Sequence, residues 1–213
     1  MSGMFDVDGG LMGTLGKITD VIILSVLFLV FSIPIVTMGA SFTALYYTAV
    51  KCIRRGRGYI FKSFWKSFRE NFKNGTILWL IMLIIVSLLA LNFRFCSQVI
   101  GGTTGLVFSC IYGMMAFTFL LFGIYIFPLL SRFNISKKKI ISNGFLMAIK
   151  HLPYSFLMVI FVVVSIWATT LIPPLIIILP AGGALLLSLP MERILKKYTP
   201  ASGDGKTDEW YLE

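Results

Sequence analysis

"FKSFWKSFRENFKNGTILWLIMLIIVSLLALNF", residues 61–93, joins two segments of different chemistry. Up to Gly75 it sets four phenylalanines and one tryptophan among three lysines and an arginine, whereas 77–93 holds no charge at all. Phe61, Phe64, Trp65, Phe68 and Phe72 follow one another at steps of 3, 1, 3 and 4, the spacing that stacks side chains on one helical face. Lys62, Lys66, Arg69 and Lys73 take the opposite face. A helix of this kind either lies at a membrane surface, aromatics sunk and lysines at the headgroups, or packs its aromatic stripe on other helices.

The uncharged half sets the solvent. With 57% hydrophobic and 13% charged residues over 213 positions, and a mean hydropathy of +0.89, the chain is too apolar for a water-soluble domain. About 20 apolar residues are needed to cross roughly 30 Å of hydrocarbon as a helix. Five runs qualify, at 18–36, 77–93, 106–130, 154–171 and 175–189, the last interrupted by Pro180, Gly182 and Gly183. Backbone groups in hydrocarbon must bond within their own segment, so the runs read as helices, and no alternating polar pattern points to a barrel. The expected fold is an all-α membrane protein of about five transmembrane helices plus an amphipathic helix on the cytoplasmic face. Residues 1–190 form the membrane domain and 191–213 a short, polar, frayed cytoplasmic tail.

The net charge of +10, with "RRGRG" at 54–58, would suggest nucleic acid in a soluble protein. Here position decides against it. Seventeen of the nineteen Lys and Arg fall in 51–73, in 131–154 and after 190, leaving Lys17 and Arg94 for the other side. This is the positive-inside asymmetry, so the N-terminus is expected outside and the basic loops and C-terminus inside, facing anionic lipid. The N-terminus carries Asp6 and Asp8 and no basic n-region, unlike a conventional signal peptide. Cys52, Cys96 and Cys110 are too scattered to form a disulfide framework and read as packing residues.

A weak internal repeat appears when "FRENFKNGTILWLIM" is laid on "FLMAIKHLPYSFLMV" at an offset of 77 residues, pairing Phe68 with Phe145, Lys73 with Lys150 and Trp79 with Phe156. Both halves share one expected orientation, so the duplication would be parallel, with 41–57 as an insert in the first half.

"SIPIVTMGAS", 32–41, is the most unusual stretch inside an apolar region, because Pro34 removes a backbone donor and Gly39 permits a sharp turn. A broken span of this kind can bind an ion or solute through Thr37, Ser41 and Thr43. Equally, the break can end one helix and start the next, with Ser41 or Thr43 as its cap. Asp20 is the sole acid within an apolar run, two residues from its start, where interfacial water can solvate it. A single histidine, His151, and the lack of carboxylate pairs, Cys/His sets or phosphate-binding loops leave no catalytic residue and no metal or cofactor site to nominate.

The stretch 32–80 resembles the YesL-like family of bacterial integral membrane proteins. The positions that carry the resemblance are Pro34, Thr37, Gly39, Ala44, Leu45, Tyr46, Phe64, Phe68, Asn71, Phe72, Lys73 and Trp79. It covers the first 80 or so residues through such motifs and the remainder by hydropathy and length. That family has no assigned activity and is associated with ATP-driven sugar importers. The resemblance therefore implies a non-enzymatic protein of the bacterial cytoplasmic membrane, with the lipid bilayer and sugar-importer subunits as partners, and no nucleic acid. The runner-up is a small transporter or channel built on the break near Pro34 and Gly39. The docking surface expected for a partner is the aromatic-basic segment 61–73 and its counterpart near Phe145.

Overall fold

The computed structural model describes residues 5–133 and 137–198, with side chains from Leu15 onward. Seven α-helices account for most of it: α1 Phe5–Ser32, α2 Met38–Thr48, α3 Ile60–Phe95, α4 Gly102–Arg132, α5 Lys137–Lys150, α6 Leu152–Leu171 and α7 Leu179–Lys196. No strand occurs among the described residues. Four helices contain stretches long and apolar enough to cross a membrane: Leu15–Ser32, Ile60–Ile100, Gly102–Arg132 and Leu152–Leu171. The described residues are thus all-helical in architecture, with the build of a multi-pass membrane protein.

Three expected boundaries move. The first apolar run does not remain helical to residue 36: α1 stops at Ser32, and Ile35–Thr37 forms a 3-10 turn. Pro34 has no N–H for the ladder, and the chain reverses through a bond from the Thr37 N–H to the Pro34 carbonyl. The run 175–189 is not one helix either. Pro173–Ile177 is a 3-10 turn, and α7 begins at Leu179 and runs through Pro190 to Lys196. Met191–Lys196, expected to open a frayed polar tail, is therefore helical, and Met191, Glu192, Ile194 and Leu195 are buried. The apolar positions Met191, Ile194 and Leu195 continue the helical spacing past the proline, and packing holds the turn. The rest of the expected tail, 199–213, lies outside the described residues.

The aromatic-basic segment is helical. It is the first part of α3, which continues without interruption through Gly75 into the uncharged half. At 36 residues α3 is about 54 Å long at 1.5 Å per residue, well beyond the roughly 30 Å of hydrocarbon. The stretch that the repeat aligns with it is built differently, breaking at His151 between α5 and α6 with Pro153 at the start of α6. Pro153 lacks the N–H that an uninterrupted helix would need there.

The centre of the molecule is α2 with its π-helical continuation Ala49–Arg54. Every residue of 39–53 except Phe42 is buried. One face joins Tyr46, Tyr47 and Val50 to Leu78, Tyr125, Ile126 and Met191, and the other joins Ala40, Ala44 and Ala49 to Leu24, Phe28, Phe64 and Ala181. Close contact with α3 depends on glycine. A Cβ on Gly39 would meet the Gly75 carbonyl oxygen and sit 2.5 Å from the Trp79 Cβ, and one on Gly75 would sit 3.0 Å from the Ala40 backbone. Small residues let two helix backbones touch, which gains dispersion contacts where no water-driven force acts between apolar surfaces. At the other end of the chain, α6 and α7 form a hairpin around Pro173–Ile177. Its open end is closed where His151 and Tyr198 meet, Nε2 to hydroxyl at 3.3 Å.

Gly39→Val is expected to destabilise the protein by about 1–3 kcal/mol, the range for overpacking a close contact, read as a lower thermal midpoint in detergent. Gly16→Ala, with nothing within 4 Å of its Cβ position, should leave the midpoint unchanged or raise it. Equal effects of the two would show that the α2–α3 contact is not the tight one.

Candidate functional site

The residues at the break are brought together, and their hydroxyls bond to the backbone. Thr37 donates to the Phe31 carbonyl at 2.7 Å and the Pro34 carbonyl at 2.8 Å, Ser41 to the Phe31 carbonyl at 2.9 Å, and Thr43 to the Gly39 carbonyl at 3.0 Å. The Trp79 indole donates to the Ile35 carbonyl at 2.8 Å. The Phe31 carbonyl, left without a helical donor where α1 stops, is thereby satisfied from the turn and from α2, and the indole of α3 adds a second bond to the Ile35 carbonyl, which also accepts the Met38 N–H. Ser41 bonds back to α1 and Thr43 within α2, and neither caps the start of α2, whose N-cap residue is Thr37.

The aromatic arc of α3 is divided. Phe64 and Phe68 are buried, their rings 5.5 and 5.0 Å from that of Phe31 at the end of α1. Phe61, Trp65 and Phe72 stay exposed, at 63%, 45% and 43%, beside exposed Lys62, Arg69 and Lys73 and half-buried Lys66. The inward face of the helix runs instead through Ile60, Ser63, Phe64, Ser67, Phe68, Gly75 and Leu78. Helical spacing placed the five aromatics on one arc, and burial follows the side on which small residues let α2 approach. Near Phe145, α5 likewise buries Ile140, Gly144, Met147 and Ala148 and exposes Phe145, Leu146 and Ile149.

A polar cluster that the sequence reading did not find joins α2, α4 and α7. Glu192, 3% exposed, accepts bonds from the Tyr46 hydroxyl and the Arg132 guanidinium, both at 3.0 Å. Arg55 Nη2 lies 4.0 Å from the same carboxylate. Arg54 donates to the Ser188 carbonyl at 2.9 Å and the Ser188 hydroxyl at 3.2 Å, one turn before Glu192 and beside the turn where Pro190 withdraws its N–H. Burial lowers the pKa of Arg55; Glu192 works against this, and Arg132, Arg54 and Arg57 add to the lowering. Two guanidiniums, those of Arg132 and Arg55, thus face one carboxylate, with Arg54 held one turn away at Ser188. The signal that could have revealed it was the spacing Ala181, Ala184, Ser188, Met191, Leu195, which carries a helix past Pro190 and sets Glu192 next to its buried face.

Asp20, half-buried midway along α1, lies close enough to Cys52 to add to the upward pull that burial exerts on that thiol. Among the described residues no three His, Cys, Asp or Glu side chains could hold a metal ion together.

Residues 21–93 match a family described as "Protein of unknown function, DUF624". The match takes in the apolar part of α1, the break at Pro34, α2 and almost all of α3, about a third of the chain, and stops before α4. No curated protein and no solved structure matches the chain. The similarity therefore covers the helices that form the break and the aromatic-basic segment, but only the α2 side of the glutamate cluster.

Glu192→Ala should cost about 3–5 kcal/mol of stability, since it leaves Arg132 buried without its carboxylate. The double variant Glu192→Leu with Arg132→Met should lie closer to the wild type in thermal unfolding. A single variant as stable as the wild type would remove the cluster from the account of how α7 is held.

Proposed function

We propose that this chain is a non-enzymatic, five-crossing protein of the bacterial cytoplasmic membrane, acting as an accessory or regulatory partner of an ATP-driven carbohydrate importer. The sequence resemblance to the YesL-like family supplies the carbohydrate association. The observation that carries the partner reading is the division of α3: Phe64, Phe68 and one side of Trp65 pack on Phe31, while Phe61, Phe72 and the outer side of Trp65 stay exposed among Lys62, Arg69 and Lys73. A rigid helix presenting aromatic anchors with a basic rim suits helix-in-groove recognition by another membrane protein's cytoplasmic face.

The fifth crossing rests on the α6–α7 hairpin. If α6 crosses the bilayer, the 18 residues of α7 must return, because its end meets the start of α6 at His151 and Tyr198. An odd number of crossings then agrees with the charge asymmetry, which favours an external N-terminus and a cytoplasmic C-terminus. A stand-alone transporter using the break at Pro34 is the weaker reading. Thr37, Ser41 and Thr43 each bond to a carbonyl of α1, the turn or α2, and Gly39 is covered by Gly75 and Trp79.

For topology, a cysteine at Ser97 in a background without the three native cysteines should react with a membrane-impermeant reagent in intact cells, and one at Lys139 should not. The reverse pattern would invert the orientation. For function, cells lacking the protein should lose uptake of an oligosaccharide only where the importer is present. The double variant Phe61→Ser, Phe72→Ser, which leaves Trp65 on Phe31, should reproduce that loss while unfolding close to the wild-type temperature. Oligosaccharide movement by the purified protein alone in liposomes would overturn the accessory reading in favour of a transporter.

A further inference from the structure

A second surface lies away from both the break and the glutamate cluster, between α4 and α5. It is an apolar groove of about 630 Å³ lined by residues of α4 such as Ile111, Met114, Met115 and Phe119, and by Ile141, Ser142 and Phe145 of α5. The size is that of a small-molecule site, roughly 300–1,000 Å³. Its inner end is closed where Gly144 lets the α5 backbone rest on Phe122, a Cβ there falling 3.1 Å from that ring, with Phe145 edge-on to Phe122 at a centroid distance of 6.5 Å. The α4 wall belongs to a helix apolar enough to cross a membrane, and Met114 and Met115 are 64% and 52% exposed. Methionine's unbranched, polarisable chain adapts to occupants of irregular shape.

Charge at one end says what the occupant is. Lys138, exposed, precedes Ile141, Ser142 and Phe145 by 3, 4 and 7 residues, so it shares their face of α5 one turn from the groove wall. Lys137 and Lys139 flank it. An amphipathic helix with apolar residues on one side and lysines at its start sits where hydrocarbon meets headgroups. We propose that the groove binds one anionic phospholipid, an acyl chain lying along Ile111, Met115 and Phe119 and the phosphate meeting Lys138 and the Ser142 hydroxyl. The site is independent of the importer reading, since it uses neither the exposed arc of α3 nor a partner protein.

The test is native mass spectrometry of the detergent-purified protein offered equal amounts of phosphatidylglycerol and phosphatidylcholine with identical chains. The wild type should retain one phosphatidylglycerol in preference. Lys138→Gln should reduce that preference about fivefold, the effect of one lysine near a charged lipid surface. Ser142→Trp, which fills the groove, should abolish retention of either lipid, and Lys62→Gln on α3 should change nothing. All three substituted positions are exposed, so folding is not at stake. Equal retention of the two lipids, retention unaffected by Lys138→Gln and Ser142→Trp, or a co-purified polypeptide that lipid does not displace would each overturn the proposal.

Discussion

The constraint on which the other contacts depend is the backbone at Pro34. A helix ending among apolar side chains leaves carbonyls that neither lipid nor hydrocarbon core can satisfy, and each would cost several kcal/mol if abandoned. The chain meets this by turning at once, so that Thr37 and Ser41 reach back to Phe31 and Trp79 reaches across to Ile35. That turn sends α2 back along α1 and makes it the central helix. Once α2 is central, α3 must come close to it at Gly75, and α4 and α7 cover its other face. Sequence similarity to the uncharacterised family extends over this same assembly of break, central helix and long helix.

The glutamate cluster is the polar counterpart of that packing. Tyr46 comes from α2, Arg132 from the end of α4 and Glu192 from α7, so three elements far apart in sequence converge on one buried carboxylate. Such a cluster contributes little net stability compared with an apolar core of equal volume, but it penalises every arrangement that separates its members. It therefore selects the register of α7 against α2 and α4, alongside the bond from the Ala181 N–H to Ser25 that ties the start of α7 to α1.

Hydropathy alone made the helices α1, α3, α4 and α6 legible, because a run such as 154–171 admits little else. The stop at Pro34 was legible from chemistry, with two outcomes for Thr37 and Ser41 left open until the Phe31 carbonyl was seen to accept from both. What could not be read was the role of α2. Its Gly, Ala, Ser and Thr resemble a loop connector by composition, and only the approach of Gly75 reveals why small residues occupy it. Glu192 was hidden for a related reason: Pro190 and the charges after it imitate the end of a helix, whereas the neighbouring Arg132 and Tyr46 that make a buried acid tolerable lie 60 and 146 residues away. The aromatic arc was legible as a shared face, but which of its residues turn inward was left open, since periodicity fixes which residues share a face and not which part of it is covered.

The continuity of α3 has a mechanical side. A helix without a proline or bulge between Ile60 and Phe95 behaves as a stiff rod, and its tightest contact, Gly75 on Gly39, lies between arms of about 22 and 30 Å at 1.5 Å per residue. Glycine pairs hold backbones close without interlocking side chains, so the register of the rod is set elsewhere, by Phe64 and Phe68 on Phe31 along one arm and by Leu78 and Met82 in the core along the other. The arm bearing Phe61 and Trp65 and the arm that ends near Gly101 therefore share one axis, and neither can be repositioned without the other.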